Sequence, residues 1–124
     1  VSSKQGKNAV AAMLGKPCDP IDYMMTPRCI FSASEGSFVG PTEKQAKAMG
    51  LNVVAKKVPV VSFNGNYVGN ISGIAKIVAD AGSNKALGIS IMGPEAADEI
   101  AAPALMISNG SGLSEVADVI RSGR

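Results

Sequence analysis

The sequence predicts an α+β domain, a mostly antiparallel sheet with helices packed on one face. Two observations carry this expectation. Residues 74–80, "IAKIVAD", and 85–93, "KALGISIMG", are apolar runs joined only by the turn "AGSN", which marks an antiparallel hairpin. The helical patterns then collect around such runs, in the order helix, connector, strands, helix, strand, loop, hairpin and two helices. That order differs from the alternating βαβ pattern of a parallel sheet.

Composition supports a single packed domain. The chain has 124 residues, 46% of them hydrophobic and 18% charged, with only 4% aromatic and no Trp. That is enough for one core and too short for two domains. The core must be built from aliphatic side chains. Net charge is +2 with no block of Lys or Arg, so a nucleic-acid partner is not expected. No run reaches the roughly 18 apolar residues of a membrane span, so no membrane partner is expected. The opening "VSSKQGKN" lacks the apolar stretch of a signal peptide, and a cytoplasmic location is expected. The first residue is Val, which suggests a processed or excised chain.

Residues 4–14 carry Ala9, Val10, Met13 and Leu14 at helical spacing, and Gly15 is a natural stop. Pro17, Pro20 and Pro27 make residues 16–28 an extended connector. "CIFSAS", 29–34, reads as a strand, and "GSFVG", 36–40, as a second short one. Thr42 and Gln45 have capping-box spacing and start a helix that Gly50 ends. Residues 51–61, rich in Val, read as a strand in which Pro59 favours an edge.

Residues 62–73 read as turns. Gly65, Gly69 and Gly73 do not spell a phosphate-binding GxGxxG, nor do they sit between a strand and a helix. In the hairpin's second strand, Leu87, Ile89 and Ile91 should share one face, with Gly88, Ser90 and Met92 on the other. Pro94 suits the first turn of the next helix, and Glu95 and Asp98 suit its positive end. Ala96, Ala97, Ile100, Ala101, Ala104 and Leu105 form a small-residue face, Pro103 predicts a kink, and Asn109-Gly110 closes the helix. In the last helix Ser114 is the expected N-cap, and Leu113, Val116, Ala117 and Ile120 form the apolar side.

Candidate chemistry is sparse. There is no histidine, so Ser32, Ser34, Ser37 and Ser114 lack the base of a Ser-His-Asp triad. Asp19 and Asp22, or Glu95, Asp98 and Glu99, are better read as helix-end and surface charge than as metal ligands. Cys18 and Cys29 match neither a CxxC pair nor a zinc spacing and are expected to be buried or half-buried thiols. Met13, Met24, Met25, Met49, Met92 and Met106 are expected to fill core or interface. The Asn-x-Ser sequons at Asn70 and Asn109 have no secretory context. No catalytic, cofactor-binding or metal residue is expected in this chain.

Three stretches carry a resemblance: "GKPCDPIDYMMTPRCIFSASEGSFVGPTEKQAKAMG", "GIAKIVADAGSNKALGISIMGPEAADEI" and "ISNGSGLSEVADVIRSGR". Together they resemble the C-terminal dimerisation domain of the FAD-dependent pyridine nucleotide–disulfide oxidoreductases. Within that family the wording is most similar to the dihydrolipoamide-oxidising members. Mercuric, glutathione and coenzyme A disulfide reductases share the domain and remain alternatives, as does a stand-alone binding or assembly module that reuses the fold.

The resemblance implies a parent enzyme that binds FAD and NAD in further domains and forms a homodimer. It implies that residues 1–15 correspond to the end of the FAD domain and 16–124 to the dimerisation domain. It places the dimer interface on the last two helices and the sheet, with Ala97, Ile100, Ala101, Ala104 and Leu105 as the candidate contact residues. The family supplies a His-Glu pair from a motif like His-Pro-Thr-Leu-Ser-Glu, just after the segment similar to "VADVI". Here that segment is followed by Arg121-Ser122-Gly123-Arg124. "GLSE", 112–115, is not that motif, because matching it would need a deletion. The expectation is a scaffold that lacks the family's redox chemistry and is inactive alone.

Overall fold

The computed structural model describes residues 1–61 and 71–121. The glycines Gly65 and Gly69 and the sequon at Asn70 lie outside the described residues. One five-stranded antiparallel sheet organises the chain, in the order β1-β2-β5-β4-β3. Its strands are β1 (Arg28–Ile30), β2 (Gly36–Val39), β3 (Val53–Val61), β4 (Ile71–Asp80) and β5 (Ala86–Met92). The helices are α1 (Ser2–Met13), α2 (Glu43–Ala48), α3 (Ala96–Glu99), α4 (Ala101–Ser108) and α5 (Leu113–Arg121). The predicted hairpin is β4–β5, with Ile77 opposite Ile89 and Ala75 opposite Ile91.

One face of the sheet is the core. Val39, Val58, Val60, Ala75, Ile77, Ile89 and Ile91 project from it into a cluster completed by Ala96, Ile100, Ile107, Leu113, Val116, Ala117 and Ile120 of the helices. Every member is aliphatic, as the shortage of aromatics requires. α3, α4 and α5 cover this face, with α5 packed on β3 and β4. The predicted apolar side of α5 is its buried side.

α2 is tied to the opposite face. Lys76 of β4 projects there and meets Glu43 at 2.6 Å, while Lys47 meets the other Glu43 oxygen at 2.7 Å. These two ammonium groups, Lys47 first, lower the Glu43 pKa to about 2. The capping box forms as predicted: Thr42 Oγ1 accepts from Gln45 N, and the Gln45 side chain accepts from Thr42 N.

Several boundaries differ from the sequence expectation. The first strand stops at Ile30 instead of Ser34, and Ser32 Oγ turns back to the Ser34 carbonyl. A hydroxyl bonding its own backbone competes with a strand ladder. β4 starts at Ile71, so Gly73 is a strand residue and not part of the turn. A Cβ there would lie 2.4 Å from the Met92 carbonyl oxygen, so glycine permits the two strands to approach. Leu87 does not share the face of Ile89 and Ile91. The register shifts so that Val78 faces Gly88 and Ala79 faces Ala86, leaving Leu87 as the extra residue of a bulge. Pro59 does occupy an edge strand, β3.

The stretch after β5 is two helices, not one. Pro94 precedes the helix, and Glu95 sits at its N-cap with a left-handed φ of 61° and no capping side-chain bond. The chain then breaks at Ile100, and α4 restarts with Pro103 in its first turn. A proline ring clashes with the carbonyl four residues earlier, here Glu99, so a continuous helix through 96–108 is disfavoured. Ser114 is not the N-cap of α5, which already includes Leu113. Glu115 instead accepts a hydrogen bond from Gly112 N at 3.0 Å.

Candidate functional site

The predicted interface residues do not lie on one surface. Ile100 is 3% exposed and belongs to the chain's own core. Ala104 is half-buried and packs against that core, and Ala97 is half-buried. Ala101 and Leu105 face outward, Leu105 with 64% of its surface exposed. The buried positions Ala96, Ile100, Pro103 and Ile107 recur at helical spacing on one side, so the candidate stripe straddles the boundary, with Ile100 inside and Ala101 and Leu105 outside.

The start of α3 is held from a distance. Glu35, between β1 and β2, accepts from Ala97 N at 3.4 Å through its carboxylate and from Gly93 N at 2.9 Å through its carbonyl. Buried Ser37 of β2 donates to the Ala96 carbonyl at 2.6 Å. These contacts span about sixty residues of sequence, and no local pattern announces them. Burial, reinforced by the charges of Glu95 and Asp98, raises the Glu99 pKa above its ordinary value.

The other candidate side chains have structural partners. Asp19 pairs with Lys4 at 2.8 Å, and Asp22 accepts from Met24 N and Met25 N in a turn. Among the described residues, no three His, Cys, Asp or Glu side chains converge to hold a metal ion. Cys18 and Cys29 are free and exposed, which corrects the expectation of buried thiols. Cys18 lies in the proline connector, its thiol 3.4 Å from the Asn8 carbonyl, and Cys29 on edge strand β1, its thiol 3.9 Å from the Ala97 carbonyl. Met25 and Met106 pack against the core, while Met13, Met24, Met49 and Met92 are exposed.

Two further apolar surfaces are exposed, of which only the sheet face escaped sequence reasoning. On the sheet face away from α3–α5, Ile30, Phe38, Ile74 and Met92 line a shallow groove of about 370 Å³. The alternation that buries one face of β2, β4 and β5 leaves these residues on the other, and that was the available signal. α1 has no buried residue, and Val10, Met13 and Leu14 are 52%, 77% and 64% exposed. It is fixed to the connector by polar contacts: Asn8 bonds both the Asp19 carbonyl (2.6 Å) and the Asp19 N–H (3.2 Å), and Gln5 reaches Tyr23.

What this geometry defines is an α+β scaffold domain that exposes apolar surface on α1, α4 and the outer sheet face. A family model described as the pyridine nucleotide-disulphide oxidoreductase dimerisation domain matches residues 26–122. The chain belongs to that family. A dihydrolipoyl dehydrogenase of Bacillus subtilis is 38% identical over 95% of this chain and 23% of its own length. One of Halobacterium salinarum is 34% identical over 98% of this chain and 26% of its own. Among solved structures, the NAD-dependent persulfide reductase from A. fulgidus superposes with a TM-score of 0.76 at 20% identity, over 93% of this chain and 22% of that one. That likeness concerns the fold. The chain thus spans about a quarter of the length of the relatives it matches. No described helix is long and apolar enough to cross a membrane.

Proposed function

We propose that this chain is the dimerisation part of a dihydrolipoyl dehydrogenase, a flavoprotein that oxidises protein-bound dihydrolipoamide with NAD. The observation that carries the reading is the alignment of dihydrolipoyl dehydrogenases from two distant organisms over 95% and 98% of the chain. FAD and NAD would belong to the remaining parts of such an enzyme. The chain's role is to bring two copies together through an isologous contact. The outward residues of α4, Ala101 and Leu105, are the centre of that contact, flanked by Ala97 and Ala104. Ile100 acts from within, by fixing the position of α4 on the sheet.

α1 serves as the junction to the FAD domain. Its exposed Val10, Met13 and Leu14 support this role, because an amphipathic helix of about twelve residues is marginal when its apolar stripe is not buried. The chain by itself is catalytically silent and works in the cytoplasm. It has no histidine to act as the acid–base group of dithiol chemistry, and its two thiols lie in different elements.

The test is a graft. Residues 1–121 replace the matching stretch of the Bacillus subtilis relative, whose own sequence is kept on both sides. The expected product is a dimer that retains flavin and oxidises dihydrolipoamide. A folded but monomeric graft, or a dimer without flavin, would overturn the proposal.

A further inference from the structure

Asn109 and Gly110 form the turn between α4 and α5. The dipeptide Asn-Gly is chemically labile, because the glycine nitrogen meets no steric hindrance when it attacks the asparagine side chain. In the folded chain this attack is blocked twice. Asn109 has φ −87° and ψ 0°, which holds the Gly110 nitrogen away from the side of the Cα–C bond that carries Cβ. The Gly110 N–H is also engaged, donating to the Ile107 carbonyl at 3.0 Å. Gly110 has φ 78°, a conformation that glycine adopts at little cost, and Ser111 N closes the turn on the Met106 carbonyl at 3.0 Å. The turn is therefore a helix stop made of the residue pair most prone to self-cleavage of its amide, held in the geometry that forbids it.

We propose that Asn109 is a conformationally gated deamidation site, closed in the folded chain and opened when the α4–α5 turn unravels. In the open state the Gly110 nitrogen bonds to Asn109 Cγ and loses its proton, and the side-chain nitrogen leaves as ammonia. The resulting succinimide takes up one water, which breaks one of its two C–N bonds and leaves aspartate or isoaspartate. The change is one-way. It adds a carboxylate at the C-terminal end of α4, where the helix dipole disfavours negative charge. It marks chains whose α4 has lost its anchor on α5, on the element that carries Leu105.

The folded chain and the same chain in urea are incubated at one mildly alkaline pH and temperature, and Asn109 is followed by peptide mass and isoaspartate content. Asn64-Gly65 supplies the same dipeptide within the chain, and in urea the two sites react at comparable rates. The expected result is Asn109 reacting at least about tenfold slower in the folded chain than in urea, in step with slow exchange of the Gly110 amide. Leu113→Ala, which empties a buried position at the start of α5, speeds the reaction in proportion to the faster exchange it causes. Equal rates in folded and unfolded chain would overturn the proposal. So would a Leu113→Ala variant whose Gly110 amide exchanges faster while Asn109 deamidates no faster.

Discussion

Leu105→Arg separates association from folding. Leu105 lies on α4 with 64% of its surface exposed, so the folded monomer loses little when it is replaced. Arg has nearly the helix propensity of Leu, and an exposed change of this kind moves monomer stability by about 0.5 kcal/mol or less. In a two-fold contact centred on α4, both copies of Leu105 are covered. Burying a whole Leu is worth about 1.5–3 kcal/mol, so the exposed two thirds amount to about 1–2 kcal/mol for each copy. Two copies give about 2–4 kcal/mol, a weakening of roughly thirty- to a thousandfold in Kd before any repulsion between the two new charges. Sedimentation across a concentration series reads this directly, with thermal unfolding as the control for the fold. Ala104→Arg is a poorer probe, since Ala104 packs against the core and the variant would also disturb the monomer. Met92→Lys, on the outer sheet face, is the matched control. A Leu105→Arg chain that dimerises like the wild type, while Met92→Lys does not, would refute the reasoning and move the contact to the sheet.

Three further outcomes follow from the fold. Gly88→Ala should destabilise the chain by about 1–3 kcal/mol, because the new Cβ would stand 2.4 Å from the Pro41 carbonyl oxygen, and backbone cannot move aside as a side chain can; denaturant unfolding measures it. Glu43 titrates near pH 2 in the folded chain and at 4.5 ordinarily, so its ion pairs contribute fully above about pH 4.5 and are lost as pH falls toward 2; Glu43→Gln should flatten the acid dependence of stability in that window, and unchanged curves would count against it. Amides of α1 should exchange quickly in dilute solution and slow as concentration rises, whereas strong protection at every concentration would mean that α1 packs on its own domain.

Local signals were legible where both partners sit within one turn of sequence. Thr42 and Gln45 are three residues apart, and their capping box forms. Gly15, Gly50 and Gly110 follow helices and adopt the left-handed φ that ends them. The β4–β5 hairpin was visible because two apolar runs are joined by four residues. What escaped is long-range. Glu43 meets Lys76 across 33 residues, and Glu35 holds the start of α3 from 62 residues away. Nor does periodicity reveal a bulge: Leu87 continues the apolar alternation of Ile89 and Ile91, and only pairing with β4 displaces it.

The candidate interface shows the same limit in its most consequential form. Read as one helix, residues 96–105 present Ala97, Ile100, Ala101, Ala104 and Leu105 on a single stripe. Pro103 conflicts with a continuous helix, yet the side of the helix that each residue occupies decides what it does. The helix assignment breaks at Ile100, whose own φ of −73° and ψ of −22° stay helical, one residue past the Glu99 carbonyl that the ring at 103 would meet. The buried spacing 96, 100, 103, 107 sends Ile100 into the core beside Ala96 and Ile107, and leaves Ala101 and Leu105 outside. A two-fold partner therefore meets a surface whose orientation is set by a buried side chain of the same stripe. Substitutions at Ile100 should unfold the chain before they dissociate it, whereas substitutions at Leu105 should do the reverse.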